Sequence, residues 1–398
     1  MKIDRRAFLL SSMQTAAAVG VAGLFTGCAP RRVSSIKPPL LPTLSGRPLL
    51  PVHVAPEREI RTVVGLRPFR PSGFVVRAEK FDDTLVIHNY GHGGGGITLS
   101  WGTARLAVDL AIQGYTGPAA VLGCGAVGLA TARLLQEAGL PVVIYAESLP
   151  PQTTSNIAGG QWYPFLVSDH QYRTGAFLDQ FLSAARYAYE RYQIMVGPRY
   201  GVRWIRNYFL EHQPFQEEGL LGLRSPLAKF MPELHDLAPR EHPFTGYEFV
   251  RQFDTMLIEP PVYLAAMLDQ FRIAGGTVVV RKMHGISDIT SLREKLVFNC
   301  TGLGAKALFN DAELTPVKGQ LTFLLPQPEV DYTVLPLPED LYMFPRSDGI
   351  LLGGTQERGV WSLEPNLEAK QRILDGHQKF FEQMRTVHDG LDDVHLTA

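Results

Sequence analysis

The chain has 398 residues, a formal net charge of −1 and a hydrophobic fraction of 45%. This length and composition predict two or three domains, or one two-domain enzyme, and exclude global disorder. The near-zero charge argues against a nucleic-acid partner, which would need a basic surface. The three cysteines, Cys28, Cys124 and Cys300, have neither metal-ligand spacing nor the pattern of a disulfide framework. No metal site is therefore expected.

The first 28 residues have the parts of an export signal. Arg5 and Arg6 form a positive pair, residues 16–25 are an apolar run, and Cys28 follows a small residue. The start resembles a twin-arginine signal and the end resembles a lipoprotein box, which predicts a lipid anchor at Cys28 and a membrane-anchored protein in the periplasm or on the cell surface. An uncleaved transmembrane anchor is the alternative, although the run is short and rich in alanine and glycine. Residues 29–58 are rich in proline and are predicted to be a tether.

A dinucleotide-binding fingerprint follows further along the chain. A short apolar strand, 119–122, leads into the glycine-rich stretch 123–128, and a helix over 129–138 connects it to a second strand over 141–145. The glycines permit a tight turn and let backbone amides approach a pyrophosphate at the start of the helix. Glu147 follows the second strand, where an acid binds a ribose hydroxyl. This spacing predicts a βαβ nucleotide-binding unit, in which Cys124 is a small packing residue.

Three further stretches have unusual composition: 67–71, 88–98 and 153–162. The second contains four consecutive glycines, which let backbone lie against a flat or anionic ligand, and a helix starting after them would point its dipole at that ligand. In the first stretch, Arg67 and Arg70 are flanked by prolines and could serve as stiff carboxylate-binding forks. From the residues alone, a flexible hairpin turn and two surface charges remain open alternatives.

Together these stretches resemble the D-amino acid oxidase family, which includes D-aspartate oxidase and, more distantly, glycine oxidase. The resemblance covers roughly residues 59–386 and implies an α/β fold, in which a mixed α+β substrate domain is inserted into a Rossmann-like FAD-binding domain. The matching segments are residues 66–71, 88–102, 121–129, 153–164, 299–302, 318–320 and 352–358. The implied FAD-binding domain comprises residues 59–164, 261–315 and 366–398, and the implied substrate domain comprises 165–260 and 316–365.

The order of these segments differs from that of the family. The segment 88–102 closes the family's chain after a long helix, whereas here it precedes the fingerprint and the matching helix, 367–385, stands near the end. This order predicts a circularly permuted D-amino acid oxidase fold, with residues 113–117 joining what would be the family's two termini. A truncated fusion of two incomplete domains is the rival explanation, but it does not explain why each motif occurs once.

The resemblance implies FAD-dependent oxidative deamination of D-amino acids to 2-oxo acids, ammonia and hydrogen peroxide, by hydride transfer to flavin N5 with dioxygen as acceptor. Arg67 would pair with the substrate carboxylate, Tyr342 would hydrogen-bond to it, and the Gly94 carbonyl would accept from the amine. Tyr163 stands beside the flavin and substrate where the family usually has glutamine, which puts side-chain specificity in doubt. The residues predicted to bind FAD are Gly93, Gly95, Gly96, Ile97, Thr98, Gly123, Gly125, Ala126, Val127, Gly128, Glu147, Ser148, Thr153, Thr154, Ser155, Gly159, Gly160, Gln161, Met283 and Thr301.

Several alternatives remain at this stage. Within the same fold, the protein could be a glycine or secondary-amine oxidase, or a quinone-linked D-amino acid dehydrogenase. A NAD-binding dehydrogenase and a non-catalytic surface lipoprotein are the others. Arg67 could be a structural ion pair and Tyr342 a core tyrosine, while His88 and His92 are expected to hydrogen-bond to backbone or cofactor rather than to a metal. The oligomeric state is open, with a homodimer as one option.

Overall fold

The computed structural model of the chain describes residues 49–217 and 222–385. The predicted signal peptide, the anchor at Cys28 and residues 29–48 of the predicted tether lie outside the described residues. Within the described ranges, no helix has the length and apolar character needed to cross a membrane.

The described part of the chain contains fifteen strands and seven α-helices. The strands are β1 (Glu59–Phe69), β2 (Val75–Phe81), β3 (Thr84–Tyr90), β4 (Ala119–Leu122), β5 (Val142–Ala146), β6 (Val202–Glu211), β7 (His235–Leu237), β8 (Phe249–Ile258), β9 (Thr277–Val280), β10 (Leu296–Asn299), β11 (Thr315–Leu324), β12 (Tyr332–Pro336), β13 (Tyr342–Arg346), β14 (Gly349–Gly353) and β15 (Glu357–Arg358). The helices are α1 (Gly96–Asp109), α2 (Ala126–Glu137), α3 (Gly175–Gln193), α4 (Pro260–Ile273), α5 (Ile286–Thr290), α6 (Gly304–Leu308) and α7 (Leu367–Glu382).

The smaller sheet has six strands in the order β2-β3-β10-β4-β5-β9. All its neighbouring strands are parallel except β2, which pairs antiparallel with β3. The strands β4 and β5 flank α2, so the predicted βαβ unit is confirmed. All four residues of β4 and of β10 are buried, as expected for parallel strands covered on both faces.

Helices α1 and α3 pack closely beside this sheet. A side chain on Gly102 in α1 would overlap the Ala184 carbonyl of α3, so glycine sets the distance between the two helices. The hydroxyl of Tyr192 in α3 donates to the Ile97 carbonyl of α1 over 2.8 Å, and the indole of Trp101 donates to the Tyr263 hydroxyl over 2.8 Å. These contacts fix the start of α1, which borders the functional site.

The larger sheet has nine strands in the order β1-β11-β14-β13-β12-β6-β8-β7, with β15 pairing beside β11. One face packs on α7 through apolar side chains such as Val334, Met343 and Leu352, together with Ile373 and Phe381 of the helix. The alternate residues of the same strands point to the opposite face, which borders a cavity.

Residues 49–54 pack in the core instead of forming part of a tether. Leu49, Val52 and Val54 are buried in the cluster that contains α7. The prediction of a tether up to residue 58 is therefore wrong at its carboxyl end, because apolar residues between the prolines find a place against α7. Proline content alone did not reveal this burial.

Two predicted domain boundaries also need correction. Strand β1, assigned to the FAD-binding domain, pairs antiparallel with β11 in the larger sheet. Helix α7, assigned to the same domain, packs on β14 of that larger sheet. In both cases the partner lies far away in the sequence, where local pattern could not identify it.

The ends of the described body lie close together. The Tyr332 hydroxyl donates to the Leu50 carbonyl over 2.7 Å and lies 3.8 Å from the Met384 sulfur. The permuted order also predicts that residues 59–67 start beside the end of α7. Glu59 instead pairs with Lys370 in the first turn of that helix over 2.8 Å. At the other junction, residues 110–118 connect α1 to β4.

Candidate active site

A cavity of about 1820 Å³ lies between the two sheets. One side is formed by residues that follow the carboxyl ends of β3, β4, β5, β9 and β10, where open parallel sheets bind ligands. The other side is the free face of the larger sheet. Sites for drug-sized ligands usually occupy about 300–1,000 Å³, so this cavity has room for a dinucleotide together with a second small molecule.

The glycine-rich loop after β4 forms a cradle at the start of α2. Gly123 has φ +106°, and a Cβ there would lie 2.5 Å from the Cys300 carbonyl oxygen. A Cβ on Gly128 would overlap the Gly123 carbonyl, so this glycine lets α2 pack against its own loop. The first amide of the helix, at Ala126, donates to the Ser155 hydroxyl over 3.0 Å, and both residues line the cavity. This arrangement fits a pyrophosphate at a helix N-terminus.

The run of four glycines forms a helical turn that leads into α1. Gly93 has φ +56°, and the Gly94 amide donates to the Leu166 carbonyl over 3.1 Å. A Cβ on Gly94 would lie 2.6 Å from the Phe165 carbonyl oxygen. These glycines thus permit close packing on residues 165–166, while the N-terminus of α1 borders the cavity. The alternative of a flexible hairpin turn is wrong.

The structure brings most of the predicted site residues to one cavity. The four predicted catalytic positions, Arg67, Gly94, Tyr163 and Tyr342, all line it. Of the residues predicted to bind FAD, Gly95 and Gly128 do not line the cavity, and the remainder do. Gly95 instead faces Val167, where a Cβ would lie 2.8 Å from a methyl group. Both glycines have packing roles that a motif match cannot separate from ligand contact.

Arg67 lies on the cavity face of β1 and has no carboxylate partner among the described residues. Its guanidinium lies across Gly319 of β11, where a Cβ would be 2.5 Å from Cζ and Nη2. Its Nη1 donates a hydrogen bond to the Thr355 carbonyl over 3.3 Å. A half-buried arginine that borders a cavity without a counter-charge is suited to bind an anionic ligand.

Arg70 is engaged differently, although the sequence presents it like Arg67. It pairs with Asp311 over 2.8 Å and with Glu313 over 3.3 Å. It also donates to the Ser72 hydroxyl over 2.8 Å. Its charge is therefore neutralised within the fold, and the prediction of a second carboxylate fork at Arg70 is wrong. The partner carboxylates lie about 240 positions along the chain, beyond the reach of local pattern.

Tyr342 lies beside Arg67 on the same face of the larger sheet. Its ring lies over Gly353 and stacks on Phe344 with 5.2 Å between ring centroids. Burial raises the pKa of the Tyr342 hydroxyl, while the Arg67 charge opposes that shift. The hydroxyl is therefore neutral at physiological pH and available as a hydrogen-bond donor. From behind the sheet, the buried His377 ring contacts the Tyr342 carbonyl over 3.2 Å.

Tyr163 is a buried residue in the cavity wall. Its ring meets Phe209 edge-on with 5.4 Å between centroids, and burial raises the pKa of its hydroxyl. Sequence analysis missed several other wall residues, among them Phe209, Leu335 and Arg173. Phe209 and Leu335 are paired across adjacent strands, so their shared position depends on a strand register that no local motif predicts.

Two further observations concern the cofactor side. The Lys282 ammonium lies 2.7 Å from the Glu147 carboxylate, so the acid predicted to bind ribose already has a basic neighbour. Asn89 lines the cavity and is fully buried, and its Oδ1 has no hydrogen-bond partner among the described residues. An unpartnered buried acceptor at a ligand site is expected to receive a bond from the ligand.

His88 and His92 hydrogen-bond to side chains rather than to backbone. His88 contacts Glu79 and Asn299, each over 3.1 Å, and His92 contacts the Thr103 hydroxyl over 2.8 Å. Burial lowers the pKa of His92 to about 3, so its ring is neutral. The prediction that these two rings hydrogen-bond to backbone is therefore wrong. His92 lines the cavity, and its contact with the cofactor stays a prediction.

The parallel sheet, the glycine cradle and the large cavity define a dinucleotide-binding protein. Residues 119–394 match the family described as FAD dependent oxidoreductase, and the chain belongs to this family. The match begins at β4, so β1 to α1 lie outside it. FAD fits the site through the cradle at α2, the N-terminus of α1 and the unpartnered oxygen of Asn89.

Comparison with known proteins agrees with this assignment. The D-amino-acid oxidase of Rubrobacter xylanophilus is 32% identical over 265 residues, which are 64% of this chain and 74% of that protein. The D-aspartate oxidase of Homo sapiens is 28% identical over 265 residues, 65% of this chain and 74% of that protein. The L-α-glycerophosphate oxidase of Mycoplasma pneumoniae, solved with FAD bound, superposes with a TM-score of 0.52 at 15% identity over 68% of this chain and 80% of that chain, which supports the fold.

Proposed function

We propose that this FAD-dependent oxidoreductase deaminates D-amino acids oxidatively, with Arg67 holding the substrate α-carboxylate. The observation that carries the proposal is the Arg67 guanidinium, which borders the cavity without a carboxylate partner in the described part of the chain. The similarity to a D-amino-acid oxidase and a D-aspartate oxidase supports the substrate class. When bound, FAD would accept the two electrons that are released as the substrate's Cα–H bond breaks.

The residues on the larger sheet do the positioning. Arg67 donates two parallel N–H hydrogen bonds to the two oxygens of the carboxylate, and the Tyr342 hydroxyl donates a further bond. Because Gly319 and Gly353 leave space beneath these side chains, both can lie flat on the sheet. Tyr163, Phe209 and Leu335 exclude water from the substrate's side chain. Catalysis by the chain is thus orientation of the Cα–H bond toward the cofactor, without a protein acid or base.

The test compares variants at two arginines that line the same cavity. Arg67→Ala removes a bidentate, charge-assisted contact worth about 3–6 kcal/mol, so kcat/KM for D-alanine should fall at least about a hundredfold. Arg67→Lys keeps the charge without the fork and should recover part of this loss. Arg173→Ala is the matched control, since Arg173 also borders the cavity but hydrogen-bonds to Ser168.

FAD affinity is measured in the same preparations, because a general disruption of the cavity would weaken it. We expect FAD affinity to change by less than about threefold in all three variants. Equal losses of turnover in Arg67→Ala and Arg173→Ala would contradict the assignment. Turnover of glycine or sarcosine in preference to D-alanine would instead favour a glycine or secondary-amine oxidase.

A further inference from the structure

A chain of four polar side chains runs from the protein surface to the cofactor side of the cavity. Glu79 on β2 is 40% exposed at its side chain, whereas His88 on β3 and Asn299 on β10 are fully buried. Thr301 follows β10 and lines the cavity. His88 and Asn299 meet because they are register partners on adjacent parallel strands. The sheet therefore places this chain of groups at its carboxyl edge, where the cofactor binds.

The hydrogen bonds that link these four residues can run in only one direction. The Thr301 backbone amide can only donate, and it lies 3.2 Å from Asn299 Oδ1, which identifies that atom as the oxygen. The Thr301 hydroxyl lies 2.7 Å from the same oxygen and must donate to it. Asn299 Nδ2 is then the donor toward His88 Nδ1 over 3.1 Å. His88 Nδ1 therefore accepts, so its hydrogen is on Nε2, which donates to Glu79 over 3.1 Å.

Two surrounding features support this state of His88. Phe309 packs edge-on against its ring with 4.6 Å between centroids and confines the ring beside Asn299. Burial lowers the pKa of His88, although the Glu79 carboxylate opposes that shift. The ring is therefore neutral at physiological pH and keeps the lone pair on Nδ1. Glu79 matters because it accepts at Nε2 and so selects which nitrogen bears the hydrogen.

The consequence reaches the cavity at Thr301. Since its single hydroxyl hydrogen is committed to Asn299, the remaining lone pairs can only accept. We propose that Glu79, His88 and Asn299 act as positioning residues that orient the Thr301 hydroxyl as an acceptor for a hydroxyl donor of bound FAD. Without this orientation the hydroxyl can rotate and present its own hydrogen to the cofactor. A donor of FAD would then lack a partner inside the site.

The first test measures the FAD dissociation constant of the apoprotein without any substrate, so its outcome is independent of the proposed D-amino acid activity. Thr301→Val keeps the side-chain shape and should weaken FAD binding about fivefold or more, because a cofactor donor loses its acceptor. Thr301→Ser keeps the hydroxyl and should bind FAD within about twofold of the wild type. An unchanged dissociation constant in Thr301→Val would overturn the proposal.

A double-mutant cycle separates orientation from a general structural effect. His88→Leu should weaken FAD binding by about threefold to tenfold, since Asn299 loses the acceptor that fixes its amide. In the Thr301→Val background the same substitution should change the dissociation constant by less than about twofold, because no hydroxyl is left to orient. Equal effects of His88→Leu in both backgrounds would show that it acts on the fold alone.

A spectroscopic measurement on the unmodified chain guards against unfolded variants. Long-range ¹H–¹⁵N spectra of histidine-labelled protein report which ring nitrogen bears the hydrogen. We expect His88 as the Nε2–H tautomer with an unprotonated Nδ1, and we expect Glu79→Gln, whose amide oxygen still accepts, to retain it. A His88 ring that carries its hydrogen on Nδ1 would contradict the deduced direction and the proposal with it.

Discussion

Gly319→Ala tests whether the glycine beneath Arg67 in the larger sheet positions the guanidinium that is proposed to bind the carboxylate. A Cβ at residue 319 would lie 2.5 Å from Cζ and Nη2 of Arg67, so the guanidinium must move. The displaced atoms are the end of a flexible side chain, and alanine is better than glycine in a strand by about 0.5–1 kcal/mol, so the fold should be retained. Loss of one well-oriented charged hydrogen-bond pair costs about 1.5–3 kcal/mol, which corresponds to about a 10-fold to 150-fold loss in kcat/KM for D-alanine.

The assay measures kcat/KM and the unfolding free energy in parallel. Gly175→Ala is the matched control, because no atom lies within 4 Å of its added Cβ. In an Arg67→Ala background, Gly319→Ala should have no additional effect on kcat/KM, since the group it displaces is already gone. Full activity of Gly319→Ala, or an equal loss in the Arg67→Ala background, would refute the reasoning.

Three other predictions concern the fold. Gly102→Ala should destabilise the protein by about 3 kcal/mol or more in denaturant titration, because its Cβ would overlap the backbone carbonyl of α3, whereas Gly175→Ala should be neutral or stabilising. In the folded protein the pKa of His92 is about 3, against an ordinary value of 6.5, so the unfolded state binds a proton that the folded state does not as the pH falls. About 2 kcal/mol of the unfolding free energy should therefore be lost between pH 7 and pH 5. His92→Gln should flatten this dependence of the unfolding free energy on pH, and an unchanged dependence would contradict the prediction. A permutant can be made by joining Arg385 to Leu49 with a short linker and opening the chain within residues 110–118. It should fold and bind FAD, as measured by its flavin spectrum. A permutant that neither folds nor binds FAD would argue against the permuted origin.

The sequence was sufficient to predict the nucleotide-binding half of the molecule. The glycines after β4, the helix α2 and Glu147 after β5 are close in sequence, so spacing alone predicts their geometry. The structure places Gly123, Gly125 and Glu147 in the cavity wall, whereas Gly128 serves helix packing.

The features that the sequence could not predict depend on partners distant in the chain. Arg67 and Arg70 have the same local pattern, yet Asp311 neutralises only Arg70. Strand β1 joins the larger sheet because its register partners lie on β11, some 250 positions away. Residues 49–54 have a proline-rich composition, but their apolar side chains are buried against α7. Such outcomes follow from tertiary packing, which local composition does not encode.

The most direct test of the central claim uses the two enantiomers of one amino acid. The full chain, loaded with FAD, is mixed anaerobically with D-alanine or L-alanine while the flavin absorbance is followed. We expect rapid bleaching with D-alanine and none with L-alanine, and loss of the D-alanine response in Arg67→Ala with FAD still bound. A flavin that stays oxidised with D-alanine and a panel of other D-amino acids, or one that L-alanine reduces equally fast, would contradict it.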